Sequence, residues 1–135
     1  MNLKTEKTLL QWIATIGSIV PIGAGLWGVF DGVSVIGEHA SALINHSRYL
    51  SGLLLGIGIC FISSVSKIEM HAPRIRLLTF IVFIGGLSRL KGLFMGDSIE
   101  VVTCLALIME LLVTPLLCLW QNSLAYRFLQ KEKQK

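Results

Sequence analysis

The most restrictive feature of this chain is the run from Leu9 to Phe30, LLQWIATIGSIVPIGAGLWGVF, which contains no charged residue. Coiled at 1.5 Å per residue it is roughly 33 Å long, enough to cross a hydrocarbon core of about 30 Å. Three similar runs follow, from about Arg48 to Ser66, from about Ile75 to Met95, and from Ile99 to about Gln121. Lipid offers no partner to a backbone N–H or C=O, so segments of this kind must satisfy those groups internally as helices. The expected fold is all-α: a polytopic membrane protein, one transmembrane domain over residues 1–135 built as a four-helix bundle. Its spans are read as 9–30, 48–66, 75–95 and 99–121, with a basic tail at 122–135.

Composition agrees with lipid as the main solvent. Charged residues make up 15% of the chain and hydrophobic ones 53%, whereas a soluble domain carries about a quarter charged residues. The net charge of +4 does not point to nucleic acid, because the basic residues cluster beside the ends of apolar runs. Cys60, Cys104 and Cys118 have neither the paired spacing of a disulfide framework nor that of a zinc site, and all three fall within apolar runs. The amino-terminal apolar run is about twice the length of a cleavable signal core, so it is read as a retained first span.

Four spans place the amino terminus, the 67–76 turn and the tail on one side of the membrane. That side holds nine of the twelve basic residues: Lys4, Lys7, Lys67, Arg74, Arg76, Arg127, Lys131, Lys133 and Lys135. The positive-inside bias makes both termini cytoplasmic, and the expected location is a bacterial inner membrane. Trp12, Trp120 and Tyr126 then fall at the inner interface, and Trp27 and Tyr49 at the outer one. The connection at 31–47 is read as the longest loop, with room for a short interfacial helix.

Small residues recur at packing intervals: Ala24-Gly28-Gly32, Gly52-Gly56 and Ser88-Gly92-Gly96. In lipid such rows allow helix backbones to approach closely. Packing within the chain and a seam between two copies are both open, with Gly52-Gly56 the row best suited to the second. Pro21, near the middle of the first span, introduces a kink that neighbouring helices must accommodate.

Glu110 is the most informative residue. It lies mid-span, between LALIM and LLV, where a lone carboxylate is costly. Counting helical rise from the outer ends, Glu110 lies about 16 Å deep on the fourth span and Arg89 about 9 Å deep on the third. A long arginine side chain bridges that difference, and Arg48 opens the second span from the same side. The expected polar site is therefore Arg48, Arg89 and Glu110. It is either a register-fixing ion cluster or a pocket whose surplus guanidinium receives a lipid headgroup or another small anionic or amphipathic ligand.

His39 and His46 offer at most a weak metal signal. No metal site, cofactor or catalytic constellation is expected, and there is no Ser-His-Asp order, phosphate loop, HExxH or haem-attachment motif, so a non-enzymatic role is favoured and an enzymatic one stays open. The expected partners are membrane lipids, a small ligand at the cluster, and either a second copy of the chain or another membrane protein. Nucleic acid is not among them.

Three blocks carry a family likeness: HSRYLSGLLLGIG (46–58), VFIGGLSRLKGLFMGD (82–97) and MELLVTPLLCLWQ (109–121). Together they resemble the domain of unknown function 4345 family, and are similar more broadly to the DoxX-like superfamily of small four-helix bacterial membrane proteins. The likeness extends from Pro21 to Gln121, and its blocks map onto Arg48, Gly52, Gly85, Gly86, Arg89, Glu110 and Pro115. The resemblance implies a DoxX-like four-helix bundle with Gly52, Gly56, Gly85, Gly86, Pro21 and Pro115 shaping helix contacts. It implies no single activity: the wider superfamily spans quinone or thiosulfate redox subunits, respiratory components and chaperones of membrane proteins. An accessory or scaffold subunit and a quinone-linked redox subunit therefore stand beside ligand binding.

Overall fold

Each apolar run is helical, and the helices extend beyond the apolar residues. In the computed structural model, which describes residues 2–31 and 40–134 (for Glu132 the backbone only), α1 spans Leu3–Phe30, α2 Ala40–Val65 and α3 Ala72–Phe94. The fourth span has three parts: α4 (Val101–Ile108), a π-helical turn (Met109–Val113) and α5 (Thr114–Lys133). α2 begins at Ala40, earlier than the hydropathy of the sequence suggests. Hydropathy marks only the part of a helix that suits lipid, while i→i−4 bonding continues through polar residues such as Asn45 and His46. The same reason carries α5 through the basic tail to Lys133. The 32–39 stretch, with Gly32, Glu38 and His39, lies outside the described residues.

All four spans are long and apolar enough to cross a membrane, and in their most apolar windows only 6–17% of residues are buried. Large side chains such as Trp27, Phe30, Phe80 and Leu116 are exposed. A soluble protein hides such groups; a membrane protein turns them to acyl chains. The chain is thus an all-α, multi-pass membrane protein with four spans, and among the described residues there is no strand.

The chain forms two compact units, Gln11–Ser66 and, together, Met1–Leu10 with Lys67–Lys135. In the smaller unit, α1 lies against α2 at positions where a side chain would not fit. A Cβ on Gly25 would fall 2.6 Å from the Leu55 backbone nitrogen. One on Gly58 would fall 2.7 Å from Ile22 Cγ1 and 3.3 Å from the Pro21 ring, and Gly28 leaves room for the Ser51 hydroxyl. The Gln11 amide donates to the Val65 carbonyl at 2.8 Å, satisfying one of the acceptors that a helix end leaves open.

In the larger unit the first turns of α1 meet the 67–71 turn and α5, and α3 packs on α5. Leu10, Ile68, Ile75, Leu78, Leu124 and Ala125 are buried there. The helix-breaking residues at this turn are placed where they do no harm: Pro73 sits in the first turn of α3, where its missing N–H has no intrahelical role.

Candidate functional site

The π turn gives the fourth span its chemistry. Pro115 has no N–H to offer the carbonyl of Leu111, and its ring crowds that carbonyl. The helix responds by widening just before it. The Thr114 N–H bonds back to the Met109 carbonyl, five residues away, and the Thr114 hydroxyl donates to the same oxygen at 2.8 Å. Glu110 is the second residue of this widened turn. Such turns interrupt an otherwise regular helix and recur at functional positions.

α3 meets the turn at Gly86. A Cβ there would lie 2.7 Å from Leu111 Cδ2 and 2.9 Å from Glu110 Cβ, so only glycine permits this approach. One helical turn further along α3, Arg89 reaches Glu110. Its Nε donates to Oε2 at 3.2 Å and its Nη2 to Oε1 at 3.2 Å, a two-point fork on the carboxylate. Nη1 donates to no described residue. Of the two side chains, arginine is 44% exposed and glutamate 20%.

The end of α3 completes the site. Gly96 has φ +104°, a conformation that an L side chain resists. Its N–H bonds to the Leu93 carbonyl at 3.2 Å, and the Asp97 N–H bonds to the Gly92 carbonyl at 3.1 Å, the paired bonds of a Schellman cap. This fold-back sets the Asp97 carboxylate against the Cα of Gly92, where any Cβ would collide with it. Gly92, in the last turn of α3, and Gly96, just beyond it, thus shape the end of that helix. Beside them opens a half-enclosed groove of about 350 Å³, lined by Arg89, Leu93, Asp97, Ser98, Glu100 and Thr103. Among the described residues, the carboxylates of Asp97 and Glu100 have no ion-pair partner.

A second arginine–glutamate pair stands at the opposite end of the larger unit, where the sequence suggested only solvated charges. Glu6 accepts from Arg127 Nη1 at 2.8 Å, from Arg127 Nη2, and from the Trp120 indole N–H at 2.8 Å. Glu6 is 6% exposed. Around it, Lys7 pairs with Glu69 at 2.7 Å and lies over the Phe128 ring at 5.9 Å, while the Gln121 amide donates to the Ile68 carbonyl at 2.6 Å. Trp120, expected at the inner interface, and Gln121 are parts of this network. Its one sequence signal was an acid, Glu6, isolated among the basic residues of the amino terminus.

The remaining expected residues fall as follows. Arg48 belongs to the smaller unit and is exposed on α2; the Arg89–Glu110 pair is complete within the larger unit. Gly52 and Gly56 are exposed, and a Cβ on either would meet nothing within 4 Å, as is also true of Gly85. Gly25 and Gly58, absent from the expected small-residue rows, make the closest approaches of the smaller unit. Cys60, Cys104 and Cys118 are free thiols.

A family model described as Domain of unknown function (DUF4345) matches residues 9–121. No curated protein and no solved structure matches the chain.

Proposed function

The chain belongs to the DUF4345 family, and we propose that it is a lipid-binding membrane protein in which Arg89, held by Glu110, receives the anionic part of an amphipathic ligand. One observation carries this reading: the fork to Glu110 uses Nε and Nη2 and leaves Nη1 undonated, on a residue that lines a half-open groove. A pair that served only to fix helix register would be expected to use every guanidinium nitrogen within the chain, as Arg127 does on Glu6 and the Ser123 carbonyl. Here one face of the guanidinium stays available to a phosphate or carboxylate, and the carboxylate behind it fixes the direction it faces.

In this reading the membrane is a bacterial inner one, and charge distribution supports both termini being cytoplasmic, since nine of the twelve basic residues lie on the side of the termini and the 67–76 turn. On that topology the groove opens at the outer leaflet. A second reading, an accessory subunit docked on another membrane helix, draws on the exposed, side-chain-free strip at Gly52 and Gly56.

Native mass spectrometry after gentle extraction tests the first reading. The wild type should retain phospholipid, and Arg89→Gln should retain at least about tenfold less, as expected when a charge-assisted hydrogen bond of roughly 1.5–3 kcal/mol is lost. Wild type stripped of lipid, or an Arg89→Gln protein that holds lipid as well as wild type, overturns it. A Gly52→Leu variant that loses a co-purifying membrane protein while keeping its lipid would support the second.

A further inference from the structure

The groove beside Arg89 has the wrong charge for a simple anion. The positive charge of Arg89 is balanced by Glu110 behind it. Asp97 and Glu100 line the same groove, neither paired with a described residue. An anionic headgroup such as phosphatidylglycerol would bring a third negative charge to two that are already unneutralised. A purely cationic group would leave the free edge of the guanidinium unused. The arrangement instead fits a group with both signs a few atoms apart, its anion on Arg89 Nη1 and its cation on the two carboxylates.

We propose that the groove selects a zwitterionic phospholipid whose cation is a primary ammonium, that is, a phosphoethanolamine headgroup. This rests on the lipid-binding reading above. A primary ammonium brings three N–H donors, enough for Asp97 and Glu100 together with the Ser98 or Thr103 hydroxyl. A trimethylated ammonium has the charge and no N–H, so it leaves those acceptors without hydrogen bonds.

The surrounding chain argues for a lipid and not a free small molecule. Phe94, Met95, Ile99, Val101 and Val102, the apolar residues next to the groove in the chain, are all more than 70% exposed. A turn bearing such side chains sits unfavourably in water and favourably among acyl chains. The polar groove and apolar rim together match an amphiphile.

Asp97 owes its place at the groove to two glycines. Gly96 adopts the positive φ of the fold-back and Gly92 leaves the space that the carboxylate fills. The acid is thus a built feature of the turn.

Native mass spectrometry with full-length protein reconstituted in equimolar phosphatidylethanolamine, phosphatidylcholine and phosphatidylglycerol is the test. The wild type should retain phosphatidylethanolamine at least about fivefold over either of the others, and the Asp97→Asn/Glu100→Gln double variant should shift retention toward phosphatidylglycerol. Equal or greater wild-type retention of phosphatidylglycerol or phosphatidylcholine overturns the headgroup assignment and leaves lipid binding standing. Absence of any retained lipid removes both. Soluble glycerophosphoethanolamine should fail to displace the bound lipid at equal concentration; displacement would reassign the groove to a free headgroup compound. Should the double variant misfold, Gly92→Ala, which displaces the Asp97 carboxylate, provides the same comparison, and an unchanged preference in a folded variant counts against the proposal.

Discussion

The larger unit contains two arginine–glutamate pairs that look equivalent in a list of charges and differ in their surroundings. Glu6 is buried, takes three donors from Arg127 and Trp120, and lies beside a core that includes Leu10, Ile68 and Leu124. Glu110 takes two donors from one arginine, which itself borders a half-open groove with two unpaired carboxylates. In the first pair the carboxylate is buried and the guanidinium, 41% exposed, spends its donors on Glu6 and the Ser123 carbonyl. The second is left with a donor to spare. In a membrane protein, where the apolar effect does little to hold helices together, a polar network of several elements at one end can fasten the fold. The other end is then free to keep an unsatisfied donor for something else.

Exchanging the charges should break that symmetry most visibly. Glu6→Gln leaves Arg127 and Trp120 without their carboxylate and should lower the melting temperature on the order of 5–10 °C, with phosphatidylethanolamine retention by the folded fraction unchanged. Glu110→Gln should do the reverse: a shift of under about 3 °C in the same melt, and a loss of lipid retention. If Glu110→Gln melts as early as Glu6→Gln and still holds lipid, the second pair is structural and the contrast fails.

Pro115→Ala gives a sharper separation. Restoring the N–H at 115 allows the π turn to relax toward a regular helix. Losing the extra residue of that turn rotates Glu110 by about 100° relative to α5. Stability should hold or rise slightly, while retained lipid falls several-fold by native mass spectrometry. Retention equal to wild type would show that the widened turn does not set the position of Glu110.

Smaller effects probe the end around Glu6. Gln121→Met leaves the Ile68 carbonyl unpaired in a buried setting and should cost about 1–3 kcal/mol in denaturant titration. Lys7→Ala removes a partly exposed pair with Glu69 and should cost less than about 1 kcal/mol in the same titration. A larger loss at Lys7 than at Gln121 would mean that the exposed ion pair, and not the buried hydrogen bond, holds the amino terminus in place.

The four spans and the all-α class were legible in the apolar runs, because helix is the backbone solution that a run of this kind allows in lipid. The contact between Glu110 and Arg89 was legible too, since a mid-span acid needs a cation and depth along neighbouring spans narrows the choice. What surrounds them was not. The π turn follows from Pro115 only once the fourth span is known to continue helically past it. The role of Gly92 and Gly96 appears only when the Schellman bonds form, because i, i+4 glycines read alike in a packing row and at a helix end.

The sequence by itself determined how many times this chain can cross a bilayer and which charges need company, since both follow from the cost of polar groups in hydrocarbon. Tertiary structure decided which arginine spends all its nitrogens on described partners and which keeps one over, and it set Asp97 and Glu100 in the same groove as Arg89. Those relations depend on where one helix end meets another, and local sequence holds no measure of that distance.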